Sequence, residues 1–174
     1  AETTTTHNLG VALAAQGKGV LMIDLDSQTS LMISGFGAAG GGADNYGCAA
    51  EGGAASHRVC VAASDRLHIV TSIIDLALME MELLSRASRE KTLDRALRSV
   101  REQYDFILID CPSQLSILTI NALSCADGVM IPAGPDPAPG QHSGNLGLIN
   151  PGLKVLGVIA TLYDTRVEDN REIL

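Results

Sequence analysis

Hydrophobic residues along the chain are concentrated in short runs that are bounded by polar residues or by glycine. Runs of this length that are rich in Val, Ile and Leu predict the strands of a sheet. The runs at 20–26 and 106–110 both end on carboxylates, which is typical of a buried strand with a polar carboxyl tip. The predicted strands are Val20–Asp26, Leu67–Val70, Phe106–Asp110, Val129–Ile131 and Val155–Leu162.

Between these runs, hydrophobic positions recur at the spacing of amphipathic helices. A helix over residues 3–16 is expected to end at Gly17, because glycine commonly follows the last helical residue. Similar periodicity predicts helices over 76–83 and 93–100, and the apolar stretch 114–125 predicts a buried helix.

The alternation of strands and helices predicts an α/β fold with a doubly wound, mostly parallel sheet and helices on both faces. We expect a single domain over residues 1–174, with irregular segments at 37–64, which is rich in Gly and Ala, and at 132–150, which holds four prolines. In such sheets ligands bind beyond the carboxyl ends of the strands, where Asp26 and Asp110 are expected to lie.

Composition narrows the class of protein. The chain of 174 residues is long enough for a sizeable core, and 46% of its residues are hydrophobic although only 3% are aromatic. Its four cysteines have no C-x-x-C spacing, which argues against a zinc site and against a disulfide framework. No apolar run approaches the ~18 residues of a membrane span, and the polar start carries no signal-peptide core. We therefore expect a cytoplasmic protein with no membrane partner.

The formal net charge of −8 disfavours contact with nucleic acid unless a local basic patch reverses the field. The densest basic stretch, residues 86–101, is interleaved with acidic residues such as Glu90 and Asp94. We interpret this stretch as a solvated helix face rather than a DNA-binding surface.

Three polar features lie at the ends of predicted elements. They are four threonines from Thr3 to Thr6 at a helix start, Asp24-Leu25-Asp26 at one strand tip, and Asp110 at another. A nucleoside triphosphate needs N–H groups at a helix start for its phosphates, a hydroxyl for Mg²⁺, and carboxylates for the metal shell and the attacking water. Taken singly, such threonines are ordinary helix caps and such aspartates are the first solvated residues after a strand. In combination they favour a nucleotide site.

These features, in this order, resemble the ParA/Soj family of chromosome- and plasmid-partitioning ATPases, which are P-loop ATPases with a deviant Walker A motif. The resemblance covers most of the chain and is carried by several blocks. They are Thr3–Gly10, Gly17–Gln28, Asp65–Leu76, Tyr104–Pro112, Thr119–Val129 and Asn150–Asp164.

The resemblance implies a role for each site residue. Thr3 matches the hydroxyl that ligates Mg²⁺, and Thr4 matches the neighbouring phosphate contact. Asp26 matches the catalytic carboxylate that orients the attacking water, and Asp110 matches the Walker B carboxylate that supports the metal shell. The implied cofactors are ATP and Mg²⁺, with the ion held by Thr3, Asp26 and Asp110 largely through water.

The resemblance also implies partners. Members of the family form ATP-bound homodimers that associate non-specifically with DNA and respond to a DNA-bound partner of the ParB type. The implied DNA contacts are basic residues in helices that follow the part of the fold matched here, and a first strand is expected ahead of residue 1.

The chain departs from the family pattern at the phosphate loop. The family has a Gly-rich loop with two lysines, and Glu2 stands where the second lysine is expected. A negative charge aimed at phosphate oxygens weakens binding by several kcal/mol relative to a lysine. The resemblance therefore implies an ATP hydrolase, but we expect this chain, with Glu2 in that position, to bind nucleotide poorly.

Alternative functions remain open at this point. A non-catalytic interaction module that keeps the fold without nucleotide is favoured by Glu2 and by the proline-rich segment after Ile131. A MinD-like ATPase that cycles on membranes needs an amphipathic helix beyond Leu174. A nitrogenase-iron-protein function needs cluster-ligating cysteines, and neither Cys111 nor Cys125 has a suitable place.

Overall fold

The computed structural model describes residues 2–26, 58–72, 76–133 and 146–161. The chain divides into two compact units, one formed by Glu2–Ala122 and the other beginning at Leu123. Each unit is described by itself below, and the single-domain prediction stays a prediction.

The first unit contains the strands β1 (Val20–Asp24), β2 (Arg58–Ser64), β3 (Leu67–Ser72) and β4 (Phe106–Asp110). They form one sheet in the order β2-β3-β1-β4. β1 pairs in parallel with β3 on one side and with β4 on the other, whereas β2 pairs antiparallel with β3. The sheet is therefore mostly parallel, with β1 between two neighbours.

The core of this unit is centred on β1, whose five residues are all buried. Val20 and Met22 pack with Leu67 and Ile69 of β3, and helix α1 (Glu2–Ala15) adds Leu13 and Ala14 to this cluster. This all-buried pattern explains why β1 reads as a continuous apolar run rather than as an alternating one.

Helix α1 lies close to β1 because Gly10 has no side chain. A Cβ placed on Gly10 lies 2.5 Å from Sδ of Met22, a residue that is fully buried. The helix ends as predicted, with Gly17 at a φ of 83°, and Arg66 donates a hydrogen bond of 2.9 Å from Nη1 to the Gly17 carbonyl. Glycine is favoured at such a position because it adopts positive φ without strain.

Two helices follow β3, namely α2 (Leu76–Leu84) and α3 (Thr92–Leu97). The predicted helix over 93–100 is shorter in the structure, and a 3₁₀ turn at Arg101–Gln103 precedes β4. Arg98 and Arg101 reach Asp94 at 3.0 and 4.0 Å, and the arginines are exposed. The basic residues of this stretch are exposed, as predicted, but only Arg95 lies within α3, and the others lie in turns and 3₁₀ turns rather than on one helix face.

The helix α4 (Ile117–Cys125) spans the boundary between the two units. Within the second unit, β5 (Gly128–Ala133) pairs in parallel with β6 (Lys154–Ala160), and the short helix α5 (Leu146–Ile149) precedes β6. Among the described residues, no helix is long and apolar enough to cross a membrane.

Two segments predicted to be irregular contain regular structure. β2 lies within 37–64, and α5 and the end of β5 lie within 132–150. β2 was missed because its pairing with β3 across the turn at Asp65–Arg66, rather than its own alternation, makes it a strand. The rest of these segments, 37–57 and 134–145, lies outside the described residues.

Candidate functional site

The carboxyl ends of β1 and β4 bring two buried carboxylates side by side. Asp24 is the last residue of β1 and lies opposite Asp110, the last residue of β4, in the parallel register. Their exposed fractions are 3% and 2%. Since neighbouring strands lie about 4.8 Å apart, two carboxylates at the same register position share one small region.

Helix α1 supplies hydroxyl groups to the same region. Thr6 Oγ1 donates a hydrogen bond of 3.4 Å to Asp110 Oδ1, and the Thr3 hydroxyl lies near enough to Asp110 to lower the pKa of its carboxyl. Thr3 and Thr6 are three residues apart and therefore share one face of the helix. The other carboxylate oxygen, Asp110 Oδ2, is buried and has no hydrogen-bond partner among the described residues.

The segment after β1 is held at this edge by two consecutive amides. Leu25 N–H donates to the backbone carbonyl of Asp110 at 3.0 Å, and Asp26 N–H donates to Asp24 Oδ1 at 2.9 Å. Asp26 is half-buried, and its negative charge is near enough to Asp110 to raise the pKa of the Asp110 carboxyl. We refer to Thr3, Thr6, Asp24, Asp26 and Asp110 as the carboxylate cluster.

The pKa of Asp110 is shifted by its surroundings. Burial, together with the negative charges of Asp24 and Asp26, raises the pKa of its carboxyl to about 6. Hydrogen bonds from Thr3 and Thr6 act in the opposite direction because they favour the ionised form. Ionising a buried carboxyl costs free energy when no cation is near, and the ionised form becomes favourable when a cation lies nearby.

The donor set fits a weakly ligated magnesium ion. Within the described ranges, no group of three or more His, Cys, Asp or Glu side chains is arranged to hold a metal by itself. Mg²⁺ typically keeps several waters and binds one or two carboxylates together with substrate phosphates. Buried Asp110, with its unpartnered Oδ2, and the hydroxyl of Thr3 are suited to that mode of binding.

Glu2 opens helix α1 and is exposed. The pKa of its carboxyl is lowered because it accepts a hydrogen bond from its own backbone N–H. It is therefore ionised at neutral pH, which suits a helix N-terminus but opposes a phosphate bound at the same place.

The structure brings Thr3, Asp26 and Asp110 together, as the sequence pattern led us to expect. Thr4 is exposed at the helix start and takes no part in the described hydrogen bonds of the cluster. Sequence reasoning assigned no role to Asp24 or Thr6. The three-residue spacing from Thr3 was a usable signal for Thr6, whereas the place of Asp24 depends on strand register.

Known proteins are similar to this chain along most of its length. A family model described as an AAA domain matches residues 1–142. The sporulation initiation inhibitor protein Soj of Bacillus subtilis is 39% identical over 133 residues, which cover 75% of this chain and 52% of Soj. The chromosome-partitioning ATPase Soj of Treponema pallidum is 34% identical over 186 residues, which cover 99% of this chain and 71% of that protein.

A solved structure is similar to this chain over nearly its whole length. The crystal structure titled cobyrinic acid a,c-diamide synthase from Mycobacterium smegmatis, with bound ADP and magnesium, aligns at a TM-score of 0.78 and 32% identity. The alignment covers 99% of this chain and 74% of that one. The chain spans 52–58% of the length of the first curated relatives that it matches.

Proposed function

The chain belongs to the ParA/Soj family of P-loop ATPases, and from this membership we propose that it binds ATP with Mg²⁺ at the carboxylate cluster and hydrolyses it. The observation that carries this proposal is buried Asp110, whose Oδ1 accepts the Thr6 hydroxyl while Oδ2 has no partner among the described residues. Such a carboxylate needs a cation or a proton, and a metal–phosphate complex supplies the former.

The four residues singled out from the sequence have distinct parts in this proposal. Thr3 offers its hydroxyl to the ion, and Asp110 holds the water shell of the ion. Thr4 contacts the phosphates at a helix start whose first N–H groups have no partner inside the helix. Asp26 orients the water that attacks the terminal phosphate. Bound Mg²⁺ supplies the positive charge that the phosphate oxygens and Asp110 share.

For the whole protein, we propose chromosome or plasmid partitioning. ATP binding drives formation of a homodimer, the dimer associates with DNA, and a ParB-like partner on DNA stimulates hydrolysis. The name of the Treponema pallidum relative, chromosome-partitioning ATPase Soj, supports partitioning, whereas the similar mycobacterial structure is that of a synthase. The proposed nucleotide chemistry is independent of this difference, because that structure is also titled with a nucleotide and magnesium.

Glu2 opposes tight binding. An ionised carboxylate within a few ångströms of a phosphate raises the free energy of the complex, and replacing it by lysine turns repulsion into attraction. The proposal therefore includes a specific weakness at residue 2.

The test is a titration of fluorescent ATP with Mg²⁺ into two proteins that share a Gly-rich loop placed before residue 2. They differ only in Glu2→Lys. We expect the lysine protein to bind at least about tenfold more tightly, which corresponds to 1.4 kcal/mol. Glu102→Lys is the matched control, since Glu102 is exposed outside the cluster and the change in net charge is the same.

The outcomes separate the alternatives. Failure of both folded proteins to bind ATP would favour the non-catalytic interaction module. Equal affinities would show that residue 2 does not face the phosphates. An increase with Glu102→Lys as large as with Glu2→Lys would assign the effect to net charge alone.

A further inference from the structure

Asp24 lies where an ionised side chain destabilises the folded state. Its carboxylate is 3% exposed, and it is the register partner of Asp110 and two residues from Asp26. Burying like charges together raises the free energy of the folded state. An apolar residue would continue β1 without this cost, because the four residues before Asp24 are apolar and fully buried.

The hydrogen bonds of Asp24 indicate what the residue does. Its Oδ1 accepts the backbone N–H of Asp26 at 2.9 Å, directly after Leu25 N–H is held by the Asp110 carbonyl at 3.0 Å. The chain leaving β1 is therefore attached to β4 by one amide and to the end of its own strand by the next. These two bonds fix the backbone from which the Asp26 carboxylate projects.

We propose that Asp24 is a positioning residue, whose buried carboxylate holds the Asp26 backbone so that the Asp26 side chain is placed for ATP hydrolysis. This inference rests on the proposed function for its catalytic consequence, but its structural claim does not. A second observation places the cluster at a ligand site, namely the buried and unpartnered Oδ2 of Asp110.

Two substitutions separate the hydrogen bond from the charge. Asp24→Asn keeps an oxygen that accepts the Asp26 N–H, whereas Asp24→Ala removes it. Ser64→Ala is the matched control, because Ser64 Oγ accepts Arg66 N–H in the same two-residue arrangement at an exposed turn outside the cluster.

The first measurement is hydrogen exchange of the Asp26 amide in the full-length protein without nucleotide. We expect exchange to become at least about tenfold faster in Asp24→Ala and to stay near the parent rate in Asp24→Asn. Equal exchange rates of the Asp26 amide in all three proteins overturn the inference, and this result does not depend on whether the protein is able to bind ATP.

The second measurement is steady-state ATP hydrolysis. We expect Asp24→Ala to lower kcat by about 10- to 100-fold with little change in KM, because a small displacement of a catalytic group costs that much. We expect Ser64→Ala to stay within about threefold of the parent kcat, and Asp24→Asn to lose less kcat than Asp24→Ala because it keeps the acceptor for the Asp26 N–H.

The two proposals fail in different ways. Absence of ATP binding in the parent protein counts against the proposed function, and amide exchange still decides the role of Asp24. If Asp24→Ala does not fold, Asp24→Asn remains decisive. Loss of kcat in that variant with an unchanged Asp26 amide overturns positioning in favour of a need for the Asp24 charge.

Discussion

Asp110 is buried at the end of β4, and burial raises the pKa of its carboxyl to about 6 from an ordinary value of 3.8. The folded state therefore holds this proton more tightly than the unfolded state between these two pH values. The free energy of unfolding falls as the pH rises through this window, since the unfolded chain binds fewer protons there. The shift amounts to about 3 kcal/mol of lost stability above pH 7.

Asp110→Asn removes this loss. We expect the variant to be up to about 3 kcal/mol more stable than the parent at pH 8, and the difference to shrink as the pH approaches 4. Urea unfolding at several pH values, with EDTA and without nucleotide, measures it. Asp65→Asn, at an exposed turn residue, is the control and should show no such trend. Equal stabilities of Asp110→Asn and the parent at pH 8 would mean that another cation or proton already neutralises Asp110.

The sequence alone predicted some residues of the site and missed others. Asp26 and Asp110 follow apolar runs and Thr3 lies in the first turn of a helix, so each stood out locally. Asp24 belongs to the same Asp-Leu-Asp segment as Asp26, yet its function follows from the parallel register with Asp110. Strand register is a property of pairing between distant segments, and no local pattern in β1 reports it.

At the scale of elements, the packing of α1 on β1 depends on Gly10. A methyl group there meets Met22 Sδ at 2.5 Å and Cγ at 3.2 Å, and Met22 is fully buried, so the Met22 side chain or the helix must shift within a packed core. We expect Gly10→Ala to destabilise the protein by about 1–2 kcal/mol, because overpacking outweighs the roughly 1 kcal/mol gain in helix propensity. Thermal unfolding measures the change.

Gly147→Ala is the matched control for Gly10→Ala. Gly147 is also helical, in α5, but nothing lies within 4 Å of a Cβ placed there. The control should be neutral or slightly stabilising, since only the propensity term acts. Stabilisation by Gly10→Ala as well would show that α1 shifts away from β1 without cost.

Elements differ in how well the sequence predicted them, because some have local sequence signals and others form by pairing with a distant segment or a neighbouring strand. β1 and β4 are short apolar runs that end on aspartates, and α1 is stopped by Gly17, so their signals are local. β2 begins with Arg58 and becomes a strand by pairing with β3. β6 was predicted from its apolar residues, although Leu156 and Val158 are 65% and 64% exposed.

At the scale of the whole molecule, the charge distribution argues against DNA binding by the basic stretch at residues 86–101. The net charge is −8, and Arg98 and Arg101 both face Asp94, at 3.0 and 4.0 Å. Arginines already paired to a carboxylate in an acidic chain offer little free positive potential to a phosphate backbone. We expect the double substitution Arg98→Ala and Arg101→Ala to leave affinity for non-specific duplex DNA unchanged.

Fluorescence anisotropy of labelled duplex DNA over a range of salt concentrations tests this expectation, because the salt slope counts phosphate contacts. If both arginines touched phosphates, their removal would lower the slope of log K against log salt by about two units as well as weakening binding. An unchanged slope together with unchanged affinity assigns any DNA association of the ATP-bound protein to other residues. A fall in both would instead make the surface around Asp94 the DNA-binding face, and the ion pairs would then be contacts that DNA displaces.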